Sequence, residues 1–490
     1  MKLYLGIDVG TFQSKGVLAG ADGTILAQAV RSHEMLVPQP GWAEHRPEED
    51  WWGEVASIAQ ELLAGRDPAV VRAVGLSAIG PCMLPVDAEN RPLMNGVLYG
   101  VDTRAAAEIE ELTSRIGAET ILQTGGNALT SQSVGPKILW LRRNRPEIFA
   151  RTRRIHSSTS FLTERLTGRA VIDHYTAANT GPLYDVAALG YTDRLAGDIC
   201  PLDWLPEPVW SSEVVGGVTR EAAASTGLAP GTPVITGTID AAAEAISVGV
   251  SGPGDMMMMY GSTIFIIEVT DRPVRDPRLW YAPWLFAGQH ASMAGLATSG
   301  TLTHWFRDRF ARELDPDTAF ATLAEEAAAS PPGAGGLVLL PYFSGERTPI
   351  HDPAAKGVLF GLDLTHSRGD IYRAFLEGIA HGTAHVIETY AEAGAAPSRV
   401  FAVGGGVKNR IWLQSTSDIA GIPQILRRTS IGASYGDAFL AALAVGDVAS
   451  ADLERWNPVV ERIEPKPDPR LDRAYRIFRE LYPRTRELMG

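Results

Sequence analysis

Cysteine is nearly absent from this chain of 490 residues, which contains only Cys82 and Cys200. The two lie far apart in sequence and in no spacing typical of metal ligands, so neither a disulfide framework nor a zinc site is predicted. A chain with so few thiols fits a reducing compartment. We therefore expect a cytoplasmic protein.

Long apolar runs are also absent from the sequence. Lys2 precedes a short apolar stretch, but Asp8 interrupts it before the core of a signal peptide could form. No later stretch approaches the apolar length needed to cross a bilayer. We expect neither a cleaved leader nor a membrane partner.

Positive charge is scarce, with 44 Lys and Arg against 57 Asp and Glu and a net charge of -13. Nucleic acids and anionic membranes both require a basic surface, so neither is an expected partner. A small soluble substrate fits this composition better. The chain is 45% hydrophobic, and its length allows two large domains, each with its own core.

One pattern occurs twice in the sequence. Residues 3–18 read as an apolar strand that carries Asp8, a turn of small polar residues and a second apolar strand, and residues 256–267 repeat this without the acid. The glycine and hydroxyl residues at each tip offer backbone N–H groups and hydroxyls to phosphate oxygens. Because like charges repel, Asp8 predicts a metal ion between carboxylate and phosphate, or else a simple strand acid beside a turn. The asymmetric pair indicates nucleotide chemistry.

Glycine and proline mark a domain boundary at residues 249–255, which include three glycines and one proline. We predict an N-terminal domain over residues 1–249 and a C-terminal domain over residues 250–490. Each opens with the hairpin and continues as strands alternating with helices, which is typical of an α/β fold with a partly parallel sheet. The gap between two such domains is a natural place for a ligand. Further elements are expected as strands over 73–77, 234–236, 338–340 and 400–403 and a closing amphipathic helix over 471–488.

Asp240 stands between a strand pattern and a strongly helix-forming segment. At a helix N-terminus the macrodipole favours its ionised form. An ionised carboxylate that reaches a substrate hydroxyl can orient it and accept its proton during phosphoryl transfer. The alternative is structural, since aspartate is among the preferred residues at helix starts.

Two glycine-containing segments in the second half could approach a nucleotide. Gly404, Gly405 and Gly406 follow an apolar strand, and Asn409 begins the next helix, where it could bond a nucleoside. A tight turn between strand and helix explains the glycines equally well. Residues 297–305 run from small residues into an aromatic helix and form the second such segment. The alternative to a nucleotide contact is that the small residues allow close helix packing and that His304 is a packing or surface residue.

The acceptor substrate is indicated by Asp102 and Arg104, whose side chains could bond several adjacent hydroxyl groups. A surface ion pair explains the same spacing. Trp42, Trp51 and Trp52 lie in a polar setting, where they could form an aromatic wall for a sugar or cover the core of the first domain.

In this order, and over nearly the whole chain, these elements resemble the FGGY carbohydrate kinases of the actin and hexokinase superfamily. The resemblance also includes two family signatures, although Val134 departs from the usual small hydroxyl residue or proline at the start of the first. The segments that carry it are residues 6–11, 136–141, 237–241, 260–263, 341–349 and 357–377.

The resemblance implies an α/β protein of two ribonuclease-H-like domains with an interdomain catalytic cleft, in which ATP with Mg²⁺ phosphorylates a small-molecule sugar. A homodimer is a further family-level expectation. By the same resemblance Asp240 is the catalytic base, and Asp8 and Asp240 serve the metal. Nucleotide contacts are implied for Gly10, Thr11, Ser14, Lys15, Gly261, Ser262, Thr263, Gly300, His304, Gly405 and Asn409. Substrate contacts are implied for Ala78, Ile79, Gly80, Asp102, Arg104 and Asp240.

The chain looks closest to the xylulokinase branch, which makes D-xylulose the leading acceptor. Ile79, Gly80 and Pro81, however, stand where those enzymes usually carry a sugar contact with a histidine, and Tyr99 replaces a usual tryptophan. Unmatched polar groups change specificity strongly, so another ketopentose or a polyol stays open.

A second class of function is an actin-like or chaperone-like conformational ATPase, because fold does not determine function. Asp102, Arg104 and Asp240 argue against it, and sugar-stimulated ATP turnover would separate the two.

Overall fold

The computed structural model describes residues 2–489. Contacts divide the chain into two compact units. The first unit comprises the residues up to Ser251 together with Tyr281–His290 and Ile431–Pro458, and the second comprises Gly252–Trp280, Ala291–Ser430 and the residues from Val459 onward. The domains expected from the sequence, 1–249 and 250–490, stay a prediction. That prediction did not include Tyr281–His290 and Ile431–Pro458 in the first unit.

The first unit contains the longer list of elements. Its strands are Leu3–Val9, Gln13–Gly20, Ile25–Ser32, Glu44–His45, Val71–Ala78, Leu84–Val86, Gly96–Val97, Arg154–His156, Val171–Asp173, Tyr184–Asp185, Gly190–Tyr191, Glu207–Val209, Val214–Gly217, Pro233–Ile235 and Thr238–Ile239. Its helices are Glu54–Leu63, Ala106–Ile116, Ala118–Gly125, Val134–Asn144, Pro146–Arg151, Ser158–Thr167, His174–Ala177, Arg220–Thr226, Asp240–Ser247, Ala433–Ala444 and Leu453–Trp456, with short turns of helix at Pro47–Gly53, Pro68–Val70, Ala178–Thr180, Leu202–Trp204 and Ser450–Asp452.

The remaining elements belong to the second unit or, for Trp280–Pro283 and His290–Leu296, run across its sequence limits. The strands are Asp255–Tyr260, Ile264–Thr270, Trp280–Pro283, His290–Leu296, Val338–Leu340, Val358–Phe360, Arg399–Val403, Gln424–Arg427 and Val459–Ile463. The helices are Gly300–Phe310, Ala319–Ala329, Arg368–Glu392, Arg410–Ala420 and Pro469–Thr485, with shorter turns at Ala334–Gly336, Gly405–Lys408 and Arg486–Leu488.

The main sheet of the first unit is mixed. Strand Leu3–Val9 pairs antiparallel with Gln13–Gly20 and parallel with Val71–Ala78, and the short strand Thr238–Ile239 also runs parallel to Val71–Ala78. Parallel strands end at the same edge of a sheet. Asp8 and Asp240, which lie at the ends of two of these strands, therefore come to one edge.

The sheet of the second unit repeats this arrangement. Asp255–Tyr260 pairs antiparallel with Ile264–Thr270 and parallel with Arg399–Val403, which in turn runs parallel to Gln424–Arg427. Helices accompany both sheets, so the predicted two-domain α/β architecture is confirmed. The expected strands and the closing helix are also present, with ends shifted by up to three residues.

Helix Ala433–Ala444 lies directly on the central strands of the first unit. A Cβ atom added at Gly6 would lie 1.9 Å from the carbonyl oxygen of Ser434, and one at Gly75 would lie 2.1 Å from that of Asp437. These contacts leave no room for a side chain, so helix backbone meets strand backbone. A helix from late in the sequence thereby packs against the strand that contains Asp8.

We expect Gly75→Ala to destabilise the first unit by about 1–3 kcal/mol, because its methyl group would overlap a main-chain oxygen that cannot rotate away. Calorimetric thermal unfolding measures the effect as a lower transition temperature. Gly252→Ala is the matched control, since a Cβ atom there meets nothing within 4 Å. Equal transition temperatures for the two variants would contradict this account of the packing.

Candidate active site

Asp8 is linked to a second buried acid through a serine. Its strand neighbours are Lys15 in the antiparallel pair and Ser77 in the parallel pair. The Ser77 hydroxyl donates to Asp437 Oδ2 at 2.7 Å and lies 3.3 Å from Asp8 Oδ1. Asp437 is fully buried in helix Ala433–Ala444. Its Oδ1 atom has no hydrogen-bond partner among residues 2–489.

Asp240 begins a helix at the same sheet edge. It directly follows the short strand Thr238–Ile239, whose parallel pairing with Val71–Ala78 determines where the helix starts. The backbone N–H of Ala241 donates to Asp240 Oδ1 at 2.7 Å and orients the carboxyl group. Glu244 follows one turn later, and side chains four residues apart share a face of a helix.

Mutual repulsion and burial control the protonation of Asp8. Burial raises its pKa well above the usual range, and the charges of Asp240 and Glu244 raise it further. The charge of Lys15 and the hydrogen bond from Ser77 act in the opposite direction. The ionised form of Asp8 therefore depends on nearby positive charge.

The pKa values of two other acids at this edge, Asp437 and Asp240, are also raised. Burial, followed by the charge of Asp8, raises the pKa of Asp437 well above its usual range. Burial raises the pKa of Asp240 to about 7; the Ala241 N–H lowers it and the charge of Glu244 raises it. A carboxyl group with a pKa near neutrality is suited to accept a proton.

The donor set suits a divalent cation carried by a nucleotide. Within residues 2–489 no three or more His, Cys, Asp or Glu side chains are arranged to hold a metal ion by themselves. Mg²⁺ in kinases is held by one or two carboxylates together with substrate phosphates and water. The buried carboxyl group of Asp8 and the partly buried one of Asp240, which repel each other, fit that incomplete type of site.

The first phosphate hairpin has its turn at residues 10–13. The N–H of Gly10 donates to the carbonyl oxygen of Gln13 at 3.1 Å. Thr11 Oγ1 lies 3.3 Å from the hydroxyl of Tyr99, which connects this turn to the predicted acceptor segment. Ser14 is buried, and its hydroxyl has no hydrogen-bond partner in the described part of the chain. The predicted phosphate residues thus lie in this turn and at the start of the following strand, beside Asp8, and their contacts to nucleotide stay predictions.

The second phosphate hairpin is joined to the start of helix Gly300–Phe310. The carbonyl oxygen of Gly261 accepts from the Gly300 N–H and from the Ser299 hydroxyl, both at 3.0 Å. The carbonyl oxygen of Ser262 accepts from the N–H groups of Ser299 and Thr301 at 3.1 Å. A Cβ atom at Gly300 would lie 2.4 Å from the Gly261 oxygen, so only glycine allows this approach. The structure thereby brings together four predicted nucleotide residues, Gly261, Ser262, Thr263 and Gly300.

The other predicted nucleotide residues of the second unit have structural contacts of their own. Gly405 lies where an added Cβ atom would meet open space. Asn409 caps helix Arg410–Ala420, and its side-chain oxygen accepts from the Trp412 N–H at 3.1 Å. His304 is exposed, with its ring 4.9 Å from that of Phe320. Their roles toward adenosine stay predictions.

The predicted pair Asp102 and Arg104 is buried, so the alternative of a surface ion pair is wrong. The two side chains are fully buried, and Arg104 Nη2 lies 2.8 Å from Asp102 Oδ2 and 2.9 Å from Glu44 Oε1. The guanidinium carbon lies 4.0 Å from the ring centre of Trp42 and 5.0 Å from that of Trp140. Arg104 Nη1 is the remaining donor without a hydrogen bond to the described residues. Direct contact with a sugar stays a prediction for both.

Residues 78–80 lie beside Asp240 because of strand pairing. Ala78 is paired with Ile239, the residue before Asp240. The side chains of Ala78 and Ile79 are buried in the core, and a Cβ atom at Gly80 would contact Ile239 at 3.1 Å. The predicted substrate segment is therefore next to the predicted base, although its side chains offer no hydrogen bonds.

Lys137, from the first family signature, forms hydrogen bonds at the start of the predicted acceptor segment, residues 99–104. Its ammonium group donates to the carbonyl oxygens of Leu98 and, at 2.9 Å, of Tyr99. Burial lowers the pKa of Lys137 to about 8, an effect opposed by the charge of Asp102. This places a buried lysine behind the residues that lead to Arg104.

Local sequence patterns did not indicate Asp437, Glu244 or the two histidines, His33 and His45, that bond to the first turn. The signal for Asp437 is an acid inside an otherwise apolar helix, and the signal for Glu244 is its spacing of four from Asp240. The two histidines have no sequence motif to mark them.

Comparisons with known proteins identify the family of both halves of the chain. The model of the FGGY family of carbohydrate kinases, N-terminal domain, matches residues 3–247, and the model of the C-terminal domain matches residues 256–445. In the described part of the chain no helix is long and apolar enough to cross a membrane.

Similar individual proteins cover essentially the whole chain. Xylulose kinase of Bacillus subtilis (strain 168) is 29% identical over 91% of this chain and 89% of its own length, and that of Escherichia coli (strain K12) is 29% identical over 100% of both. The crystal structure of xylulose kinase from Rhodospirillum rubrum matches with a TM-score of 0.94 and 31% identity over 100% of both chains. These matches favour the sugar kinase over the conformational ATPase. Two family models and full-length relatives show that this chain belongs to the FGGY family of carbohydrate kinases and is an ATP-dependent sugar kinase.

Proposed function

We propose that this kinase transfers the γ-phosphate of ATP to a hydroxyl group of D-xylulose. The observation that carries the mechanism is the convergence of Asp240, Asp8 and the first hairpin at one edge of a parallel strand set. The choice of sugar is supported by the names of the three relatives described above, which are xylulose kinases, whereas a gluconokinase and a glycerol kinase are similar at 24% and 29% identity.

Asp240 is the proposed catalytic base. The Ala241 N–H holds Oδ1 at 2.7 Å, which orients the carboxylate toward a substrate hydroxyl. Burial brings its pKa to about 7, close enough to neutrality for a proton to be taken up as the hydroxyl attacks phosphorus.

The two hairpins are the proposed phosphate-binding elements. In the first unit the contacts come from the turn and the following strand, and in the second unit they come from the Gly261 turn and the elements packed on it. The proposed nucleotide residues are Gly10, Thr11, Ser14, Lys15, Gly261, Ser262, Thr263, Gly300, His304, Gly405 and Asn409. Mg²⁺ would be held by Asp8 and Asp240 and would neutralise charge on the phosphate oxygens.

Substrate recognition is proposed to rest more on backbone and shape than on charged side chains. Residues 78–80 contribute buried apolar groups and a glycine beside Asp240. Asp102 and Arg104 stabilise the segment that begins at Tyr99, since their polar atoms bond mainly to each other and to Glu44. We propose that these residues shape the sugar site.

Asp240→Asn should lower kcat by about 100- to 10,000-fold, because the amide keeps the shape of the side chain but cannot accept a proton. Binding of MgADP should weaken far less than turnover, because Asp8 and the two hairpins remain to hold the metal ion and the phosphates. Steady-state kinetics and calorimetric titration measure the two quantities. Asp203→Asn, at an exposed aspartate of the same unit, is the matched control and should retain kcat. Wild-type turnover in Asp240→Asn would remove Asp240 from the role of base.

A coupled assay of ADP release across ketoses, aldoses, polyols and sugar acids should give the highest kcat/KM for D-xylulose. ATP turnover without an acceptor should be slow, since the carboxylate must orient a hydroxyl in the acceptor position. A higher kcat/KM for glycerol or gluconate would reassign the acceptor while leaving the kinase mechanism in place.

A further inference from the structure

A phosphate-binding turn contains groups of both signs. Its N–H groups attract phosphate oxygens, whereas its carbonyl oxygens repel them. In the second hairpin the oxygens of Gly261 and Ser262 accept hydrogen bonds from residues 299–301 at the start of a helix. The carbonyl groups are therefore occupied, and the orientation of the turn is defined.

The first hairpin has the same two oxygens occupied by a different kind of donor. The carbonyl oxygen of Gly10 lies 3.1 Å from Nε2 of His33, and that of Thr11 lies 3.0 Å from Nε2 of His45. The two imidazole rings contact each other edge to face at 4.8 Å between centres. What backbone N–H groups and the hydroxyls of Ser299 and Thr301 do at the second turn, two histidine side chains do at the first.

The hydrogen bonds of His45 define its tautomer. Nε1–H of Trp51 is a donor only, and it lies 3.1 Å from Nδ1 of His45. Nδ1 must therefore accept, and the proton of a neutral ring lies on Nε2, which donates to the Thr11 oxygen. Burial, with the charge of His33, lowers the pKa of His45 to about 4. His45 is thus a neutral donor at physiological pH.

His33 makes both of its bonds only as a cation. Nδ1 lies 3.0 Å from Glu54 Oε2, and Nε2 faces the Gly10 oxygen. Both partners are acceptors when Glu54 is ionised, so each ring nitrogen must carry a proton.

The groups that face His33 favour this charged form. Burial lowers its pKa, but the hydrogen bond and charge of Glu54, the charge of Asp50 and the bond to Gly10 outweigh burial and raise the pKa above that of an ordinary histidine. His45 is a further titratable neighbour of His33.

We propose that His33 and His45 are positioning residues of the first phosphate hairpin, which hold its carbonyl groups so that the N–H groups of the turn beyond Gly10, whose own N–H donates to Gln13, face the nucleotide. The inference rests on the proposed function, which assigns this hairpin to the phosphates of ATP. His33 makes the arrangement depend on pH. Below its pKa both bonds are present. As the pH rises through its pKa, the one remaining proton stays on Nδ1, where the Glu54 carboxylate is the stronger acceptor, so the bond to the Gly10 oxygen is lost and nucleotide binding weakens.

Calorimetric titration with MgADP from about pH 6 to about pH 9 tests the proposal. The readout is the Kd of each variant divided by that of the wild type at the same pH, because protonation of ADP then cancels. His33→Gln should weaken binding about three- to tenfold at the acid end, and the ratio should approach one at the alkaline end, where wild-type His33 has also lost a bond. His45→Gln should weaken binding by a ratio that does not vary with pH, since His45 stays neutral. A ratio for His33→Gln that is flat with pH would overturn the inference.

Imidazole ¹⁵N chemical shifts of the wild-type protein test the protonation states without a variant. His33 should carry protons on both nitrogens at about pH 6, and His45 should carry one on Nε2 only. A neutral His33 at that pH, or a proton on Nδ1 of His45, would overturn the hydrogen-bond assignment.

Lys15→Met separates this inference from the proposed function. Weaker MgADP binding in Lys15→Met supports the hairpin as a phosphate site, and an unchanged His33→Gln would then overturn only the role of the histidines. Unchanged binding in Lys15→Met would overturn the hairpin assignment itself, and the inference with it.

Discussion

The contact between helix Ala433–Ala444 and the central strands of the first unit is the constraint on which the acidic edge, the sheet edge with Asp8, Asp240 and Asp437, depends. Gly6 and Gly75 allow main chain to meet main chain, with distances that no side chain could occupy. This contact seats Asp437 over Ser77 and thereby buries Asp8. Burial in turn raises the pKa values of the carboxyl groups, so their ionised forms need a nearby cation. Packing and charge are therefore coupled at this edge.

Both hairpins meet the same physical requirement with different chemistry. A turn that binds phosphate has to keep its carbonyl oxygens occupied, because free oxygens would repel the ligand. At the second turn the donors belong mainly to the backbone, which does not titrate. At the first turn they are His33 and His45, whose imidazole rings are titratable. The duplicated hairpin has thus become asymmetric in its support as well as in its acid.

Much of the site could be predicted from local patterns. The hairpins, the acid in the first of them and Asp240 at a helix start depend on neighbours within a few residues, and the structure has them as expected. The spacing of Asp102 and Arg104 allowed two interpretations, a substrate contact or a surface ion pair. The second is wrong because Glu44, Trp42 and Trp140, which the spacing does not reveal, contact Arg104 and bury the pair. Spacing alone cannot report which side of a strand end is covered.

The sequence by itself determined the family, the mixed α/β fold and the two hairpin turns, because glycine, hydroxyl and apolar residues act there through local geometry. Only the tertiary structure decided that Asp437 accepts a hydrogen bond from Ser77 beside Asp8. The same holds for the bonds from His33 and His45 to the turn that follows Asp8. These partners come from distant parts of the chain, and their effects depend on burial and on hydrogen-bond direction. Both quantities arise only when the chain is folded.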